Sequence, residues 1–216
     1  MRGRDIKRYG YDFADLWLLF VPWHFPLHND PKIQGASKKA EHAFKEQYPA
    51  VYNHLRQYKE QLSSRNKAET GIRYEWYALQ RWGADYWEDF FRQKIIYPET
   101  TQSACFAFDD EAMFIDKTCF MLISENARYI QATLSSKLFE FAYKTIFSSI
   151  ELGLNGYQYN KHALIKLPIL IPNKKTNQQV ENLLQKKDYH AIDTFIYELY
   201  KLNNEEIGFI ESISCN

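Results

Sequence analysis

The sequence has few glycines, few cysteines and no net charge, and each shortage excludes a class of protein. Its 216 residues include only 8 glycines, and no glycine-rich run of the kind that cradles the phosphates of a cofactor is present. The 3 cysteines are widely spaced, which argues against a disulfide framework and is typical of the reducing cytoplasm. Lys plus Arg and Asp plus Glu each number 27, which excludes a uniformly basic nucleic-acid binder.

Long hydrophobic runs are also missing. The longest apolar stretch, residues 16–27, is interrupted by Pro22, His24 and Pro26 and is too short to span a bilayer. No apolar stretch follows the basic residues after Met1, so no secretory signal is predicted. We therefore expect a cytoplasmic protein without a membrane segment.

Aromatic residues are abundant, with 5 Trp, 16 Tyr and 15 Phe. Hydrophobic residues make up 45% and charged residues 25%, which is typical of a folded globular chain of one or two domains. The sequence is therefore long and apolar enough to bury a core.

The zero net charge is divided into blocks of opposite sign. Basic and acidic residues number four and one in 1–10, eight and three in 32–67, and six and one in 161–187. They number four and ten in 68–116, and one and six in 188–216. One face could be strongly positive in a neutral protein, and basic blocks that bind DNA should converge on such a face. The alternative is a set of solvated surfaces without a partner.

Periodicity and capping signals predict an α+β fold. Helices are expected at 37–48 with Ser37 as N-cap, at 49–63 from Pro49, at 126–135 and 137–148, and at 176–187, 189–202 and 204–212 with Asn204 capping the last. Strands are expected at 93–97, 103–108 and 118–123, with an extended segment at 164–171 and a turn at 153–156. This order predicts a mixed α/β body with a short sheet at 1–172, in which 1–35 forms a junction, followed by a helical C-terminal segment at 173–216.

Catalytic and metal-binding patterns are not found in the sequence. Asp5 and Asp30 each lie two residues before a lysine, but neither falls on a convincing strand of the kind that a metal-dependent nuclease requires. His24 and His28 are separated by Pro26, which breaks the helical spacing of a metal pair. The acids at 109–111 are predicted to form a polar hairpin tip. No catalytic residue and no metal ligand is therefore assigned.

Several segments together resemble one family. They are Gly-Arg-Asp-Ile-Lys-Arg-Tyr at 3–9, Tyr-Pro-Ala-Val-Tyr-Asn-His-Leu at 48–55, Arg65 with Trp76 and Leu79, Lys-Ile-Ile-Tyr-Pro at 94–98, Leu-Ser-Ser-Lys-Leu at 134–138, Lys-His-Ala-Leu-Ile-Lys-Leu-Pro-Ile at 161–169, and Tyr-Glu-Leu-Tyr-Lys-Leu at 197–202 with Glu-Glu-Ile at 205–207. Their order resembles the C-terminal target-recognition region of TaqI-like type IIG restriction–modification enzymes and of adenine-specific DNA methyltransferases of phage defence. The chain departs from the family pattern at Gln80, where Arg is usual, and at Ser135, where Asn is common.

The resemblance implies a module that recognises a sequence in double-stranded DNA and has no catalytic activity of its own. A nuclease segment and a methyltransferase would precede Met1 in the parent enzyme. S-adenosylmethionine and Mg²⁺ would be bound only by those segments, so no cofactor is expected in this fragment. The implied partners are double-stranded DNA and the methyltransferase domain of the parent chain.

A module of this kind needs cations for phosphates and polar side chains for base edges. The predicted phosphate contacts are Lys7, Arg8, Arg65, Lys67 and Lys161. The predicted base contacts are Arg73, Gln80 and Arg81, together with Tyr157, Gln158 and Asn160 of the loop at 155–160. Asp5 and Arg8 are expected to pair and to fix the junction, whereas Trp76, Trp82 and Trp87 are interpreted as core rather than as stacking platforms.

Two other interpretations stay open on the sequence alone. The aromatic cluster and the acidic C-terminal residues could dock a protein partner, which makes the chain a protein–protein interaction module. The acids at 109–116 could serve a small enzyme. Enrichment of one short motif from a random duplex pool would favour DNA recognition over the docking module.

Overall fold

The computed structural model describes residues 1–147 and 156–214. Its contacts divide the chain into two compact units, one formed by Met1–Leu16 with Glu88–Asn216, the other by Trp17–Trp87. We call the first the main unit and the second the insert, because it lies between the two segments of the main unit in sequence. The boundary expected at 172 stays a prediction about domain organisation.

The insert contains three helices, α1 (Lys38–Gln47), α2 (Pro49–Arg56) and α3 (Lys59–Ser64). Ser37 caps α1, since its Oγ accepts a hydrogen bond from the Ala40 amide at 3.2 Å. The prediction of a single helix over 49–63 was wrong. The amides of Gln57 and Tyr58 donate to the carbonyls three residues earlier, which closes α2 in tight turns before α3 begins.

Aromatic side chains form the core of the insert. Phe44 is 1% exposed and Tyr74 is fully buried, and they pack in one cluster with Tyr52, Trp76 and Tyr77. The aromatic residues that follow position 72 are therefore largely structural, as expected for Trp76. Trp82 and Trp87 lie in the same unit and pack against Phe20.

The described residues of the main unit form three small antiparallel sheets. The central one has the order β5-β3-β6, formed by β3 (Lys94–Pro98), β5 (Ala107–Asp109) and β6 (Cys119–Ile123), and every residue of β3 is buried. Two-stranded ribbons are formed by β1 (Ile6–Lys7) with β2 (Gly10–Tyr11) and by β4 (Thr100–Thr101) with β7 (Tyr157–Gln158). The strands expected at 93–97 and 118–123 are confirmed within a residue, whereas the one expected at 103–108 begins only at Ala107.

Six helices complete the described part of the main unit. They are α4 (Ala127–Ser135), α5 (Lys137–Phe147), α6 (Lys161–Leu164), α7 (Lys174–Lys186), α8 (Tyr189–Leu199) and α9 (Asn204–Ser214). Helix α4 packs against the central sheet and α7, and α5 packs against α8 and α9. The expected α+β class with a helical C-terminal segment is confirmed.

Two local predictions need correction. The segment at 164–171 was expected to be extended, but its first residue, Leu164, is the last residue of α6, a helix that the Asn160 side chain caps at its N-terminus. Asn203 rather than Asn204 caps α9: its Oδ1 accepts from the Glu206 amide at 3.0 Å, and a Glu206 carboxylate oxygen accepts from the Asn203 amide at 2.8 Å. Of the turn expected at 153–156, residues 153–155 lie outside the described residues.

Buried aliphatic and aromatic side chains join one face of the central sheet to helices of the main unit in a large core, and a smaller cluster contains Ile96, Ala107 and Cys119 of the sheet with Ile6. The members of the large core include Ile95 of β3, Tyr129 of α4, Tyr143 of α5 and Ile192 of α8. No helix within residues 1–147 and 156–214 is long and apolar enough to cross a membrane.

Candidate functional site

A cleft of about 670 Å³ lies in the main unit between its N-terminal turn and strand β4. The N-terminal side contributes Arg4 and Lys7 to the lining, and the opposite side contributes the hydroxyl-bearing residues Thr100, Thr101 and Ser103. Cations and hydroxyl donors that line one cleft can bind an anion, although Glu99 and Asp116 also line it.

The N-terminal side of the cleft is held in place by a 3-10 turn over Gly3–Asp5. Arg2 donates to both carboxylate oxygens of Asp5 at 3.0 Å, and the Gly3 amide donates to Thr118 Oγ1 at 2.7 Å. The Arg2 guanidinium lowers the pKa of the Asp5 carboxyl. A side chain at Gly3 would meet the Thr118 backbone oxygen at 3.2 Å, so the turn fits closely against that residue.

The pair expected between Asp5 and Arg8 was therefore wrong. Asp5 is turned toward Arg2, which lies within hydrogen-bonding reach in the same turn. Arg8 instead donates from Nε to the Ser135 carbonyl at 2.8 Å, and its Nη2 lies 3.8 Å from Asp193 Oδ1. Burial raises the pKa of Asp193. Arg8 thus links the β1–β2 ribbon to α4 and α8, which is a structural role.

The ribbon of β4 and β7 joins the cleft to the segment at 157–161. Thr100 pairs with Gln158, and the Gln158 side chain donates to Glu99 Oε1 at 2.7 Å. After β7, Asn160 Oδ1 accepts from the His162 amide at 2.8 Å and starts α6, which leaves Lys161 exposed. Lys7 therefore lines the cleft and Gln158 lies in the ribbon that forms its wall, whereas Asn160 and Lys161 follow that ribbon as the cap and the first residue of α6.

Tyr157 belongs to the core and not to the surface of that ribbon. Its side chain is 1% exposed, and its hydroxyl lies 3.2 Å from the hydroxyl of Tyr159. Burial raises the pKa of Tyr157. A base contact by this ring stays a prediction, and its burial weighs against it.

The predicted residues of the insert divide into structural and exposed ones. Arg65 donates to the carbonyls of Leu62 at 3.0 Å, Trp76 at 3.0 Å and Ala78 at 2.8 Å. Its guanidinium therefore ties the end of α3 to the segment at 76–78, whereas Lys67 in the same loop is exposed.

Arg73 is also engaged within the insert. It donates to Glu69 Oε1 at 2.9 Å and lies 5.3 Å above the ring of Trp23. Farther along the same loop, Gln80 is half-buried and Arg81 is exposed. Arg73 and Arg81 are thus both exposed, but Arg73 already pairs with Glu69.

Trp76 has a structural environment. Its indole nitrogen donates to Glu41 Oε1 at 2.7 Å, and Lys59 Nζ lies 5.0 Å from the centre of its ring. The interpretation of this residue as core is therefore confirmed.

The acids at 109–111 do not form a free polar tip, because Asp109 is 1% exposed and ion-paired with the fully buried Lys94. It also accepts from the amides of Glu111 and Met113, at 3.2 and 3.0 Å. Across the part of the chain that the structure describes, no group of three or more His, Cys, Asp or Glu residues could hold a metal ion.

Sequence reasoning missed Arg4 as a candidate. Arg4 lies in the same basic block as Lys7, but only the structure shows that both line one cleft. The signal in the sequence was the position of Arg4 inside the Gly-Arg-Asp motif, where a turn can present it on the side of Lys7.

One family model, described as a TaqI-like C-terminal specificity domain, matches residues 1–169. The matched range contains the insert, the central sheet, the cleft and the ribbon of β4 and β7. Helices α7 to α9 lie beyond the match.

Proposed function

Because the chain belongs to the family of TaqI-like C-terminal specificity domains, we propose that it recognises a short sequence in double-stranded DNA for a type IIG restriction–modification enzyme. Membership supports a DNA-recognition role in restriction–modification and a non-catalytic part in it. The methyltransferase and nuclease would be other parts of the same enzyme, acting in the cytoplasm against phage DNA. S-adenosylmethionine and Mg²⁺ would be bound by those parts.

The observation that carries the proposal is the arrangement of cleft and ribbon. It combines cations suited to phosphates with the side-chain amide of Gln158 in the ribbon and that of Asn160 directly after it, and amides are the groups that pair with adenine edges. Phosphate contacts would supply affinity and register, and the amides would supply discrimination between bases.

The structure favours some predicted contacts over others. Lys7, Lys67, Arg81 and Lys161 are exposed or half-exposed and carry the phosphate or guanine contacts in this proposal. Gln80, Gln158, Asn160 and Arg73 remain candidates for base edges. Arg8 and Arg65 position other elements through backbone carbonyls.

The first test is a binding titration of the full chain on a fluorescent duplex at several salt concentrations. The wild-type protein should bind duplex DNA with a steep negative dependence on salt. Lys67→Ala combined with Lys161→Ala should flatten the slope of log affinity against log salt by about 1.8, because each lost phosphate contact removes about 0.9.

Lys201→Ala is the matched control, since Lys201 is exposed and belongs to the acidic C-terminal block. Its slope should equal that of the wild type. If the wild-type chain does not bind duplex DNA even at low salt, the proposed function is overturned.

A further inference from the structure

We infer that the cleft of the main unit is an anion seat that holds one phosphate group, with Arg4 and Lys7 as its cationic contacts. The ligand class, a phosphate monoanion or diester, is inferred from the two cations and the hydroxyl groups in the lining. That the phosphate belongs to a DNA backbone rests on the proposed function.

The charge state of the lining supports an anion. Arg2 is neutralised by its bidentate contact with Asp5. Arg4 is exposed and forms no ion pair within residues 1–147 and 156–214. Lys7 lies 3.4 Å from Asp12, but both side chains are more than half exposed, at 53% and 77%, so that pair is weak and easily exchanged for another anion.

Hydroxyl groups on the opposite wall complement these cations. Thr101 Oγ1 already donates to the Ser103 carbonyl at 2.7 Å and so fixes the loop at 101–103. The hydroxyl of Thr100, on an exposed residue of β4, forms no hydrogen bond within the described part of the chain, and can donate to a phosphate oxygen. Two cations and a hydroxyl donor around one cleft match the needs of a tetrahedral anion.

Two acids share the lining, and both already accept hydrogen bonds from the protein. Glu99 accepts from the Gln158 side chain at 2.7 Å, and Asp116 accepts from the Thr118 amide at 2.9 Å. Their negative charges weaken the binding of an anion in the cleft, but they do not prevent it. Glu99→Gln removes one negative charge and can keep an acceptor for Gln158, so this variant should bind phosphate roughly two- to threefold more tightly.

A phosphate bound in the cleft could also set the register of the DNA relative to the protein. The wall of the cleft, β4, is hydrogen-bonded to β7, and the Gln158 side chain reaches back to Glu99 on the same wall. A backbone phosphate bound by Arg4 and Lys7 would therefore fix a nucleotide beside the ribbon that carries Gln158, with Asn160 directly after it. The ribbon would couple a sequence-independent contact to residues able to read bases.

The test is a titration of the full chain with inorganic phosphate, in which NMR measures the chemical shifts of the backbone amides. Phosphate should move the amide signals of Gly3, Thr101 and Ser103 in a saturable way. Arg4→Gln should weaken this binding at least about threefold and Glu99→Gln should strengthen it, whereas the control Lys201→Gln should leave it unchanged. Thermal melts of each variant show that the fold persists.

A second arm uses duplex DNA and separates the two claims. Arg4→Gln should flatten the salt slope of duplex binding by about 0.9. If the chain binds phosphate through Arg4 but binds no duplex, the anion seat is supported and the proposed function is overturned. If the chain binds duplex, Arg4→Gln leaves the salt slope unchanged, and phosphate does not shift the amide signals of the cleft, then the anion seat is overturned and the proposed function is supported.

Discussion

Replacing Arg65 separates a structural role from a DNA contact. The guanidinium donates three hydrogen bonds to carbonyls, two of them to the buried segment at 76–78. Hydrogen bonds from charged donors contribute about 1.5–3 kcal/mol each in buried sites. Because Arg65 is exposed overall, we take the lower value for two bonds and little for the third. Arg65→Ala should then lower the free energy of unfolding of the insert by about 3 kcal/mol.

The assay follows from the position of the tryptophans. All 5 lie between residues 17 and 87, so tryptophan fluorescence during urea unfolding reports on the insert. The midpoint for Arg65→Ala should fall below that of the wild type, and Arg65→Lys should recover little, because an ammonium cannot reproduce the planar fork. Lys67→Ala, the matched change in the same loop, should leave the midpoint unchanged.

Arg65→Ala and Lys67→Ala should also differ in the salt dependence of DNA binding. In conditions where both are folded, Lys67→Ala should flatten the salt slope by about 0.9, and Arg65→Ala should keep the wild-type slope. An Arg65→Ala insert that is as stable as the wild type, combined with a flattened slope, would refute the assignment of Arg65 to the fold.

Three further predictions concern the main unit. Asp109→Asn leaves the buried ammonium of Lys94 without its counter-charge and should destabilise this unit by about 3–5 kcal/mol, measured by far-UV circular dichroism in urea. Tyr157→Phe leaves the buried hydroxyl of Tyr159 without its partner, so the stability should fall by about 1–3 kcal/mol while the duplex dissociation constant stays the same. Arg2 lowers the pKa of Asp5, so the stability from this pair is present above the unfolded pKa, about 4, and is lost as pH falls through the lowered pKa. Melts of Asp5→Asn between pH 3 and 7 should lack this loss on the acid side.

Local signals in the sequence predicted most of the regular structure. Ser37 capped α1 as expected, and the apolar run at 94–98 forms the buried central strand. Which asparagine caps α9 was harder to predict, because Asn203 and Asn204 have the same side chain. Only the reciprocal hydrogen bonds with Glu206 identify Asn203 as the cap.

The candidate site was less accessible from the sequence. Lys7 and Gln158 lie 151 positions apart, and only the pairing of β4 with β7 reveals that they share a cleft and its wall. The roles of individual arginines were also hidden, because a basic residue in a polar loop has the same sequence signature whether it binds phosphate or caps carbonyls. Arg65 belongs to the second kind, and its acceptors at Trp76 and Ala78 lie in another segment of the insert.

The most direct test of DNA recognition is selection of the full chain on a pool of random duplexes, followed by sequencing of the bound fraction. The proposal predicts enrichment of one short motif, and competition by unlabelled duplexes that contain the motif but not by scrambled ones. A bound fraction with the same sequence composition as the input would contradict it, and would favour a protein-docking role for the chain.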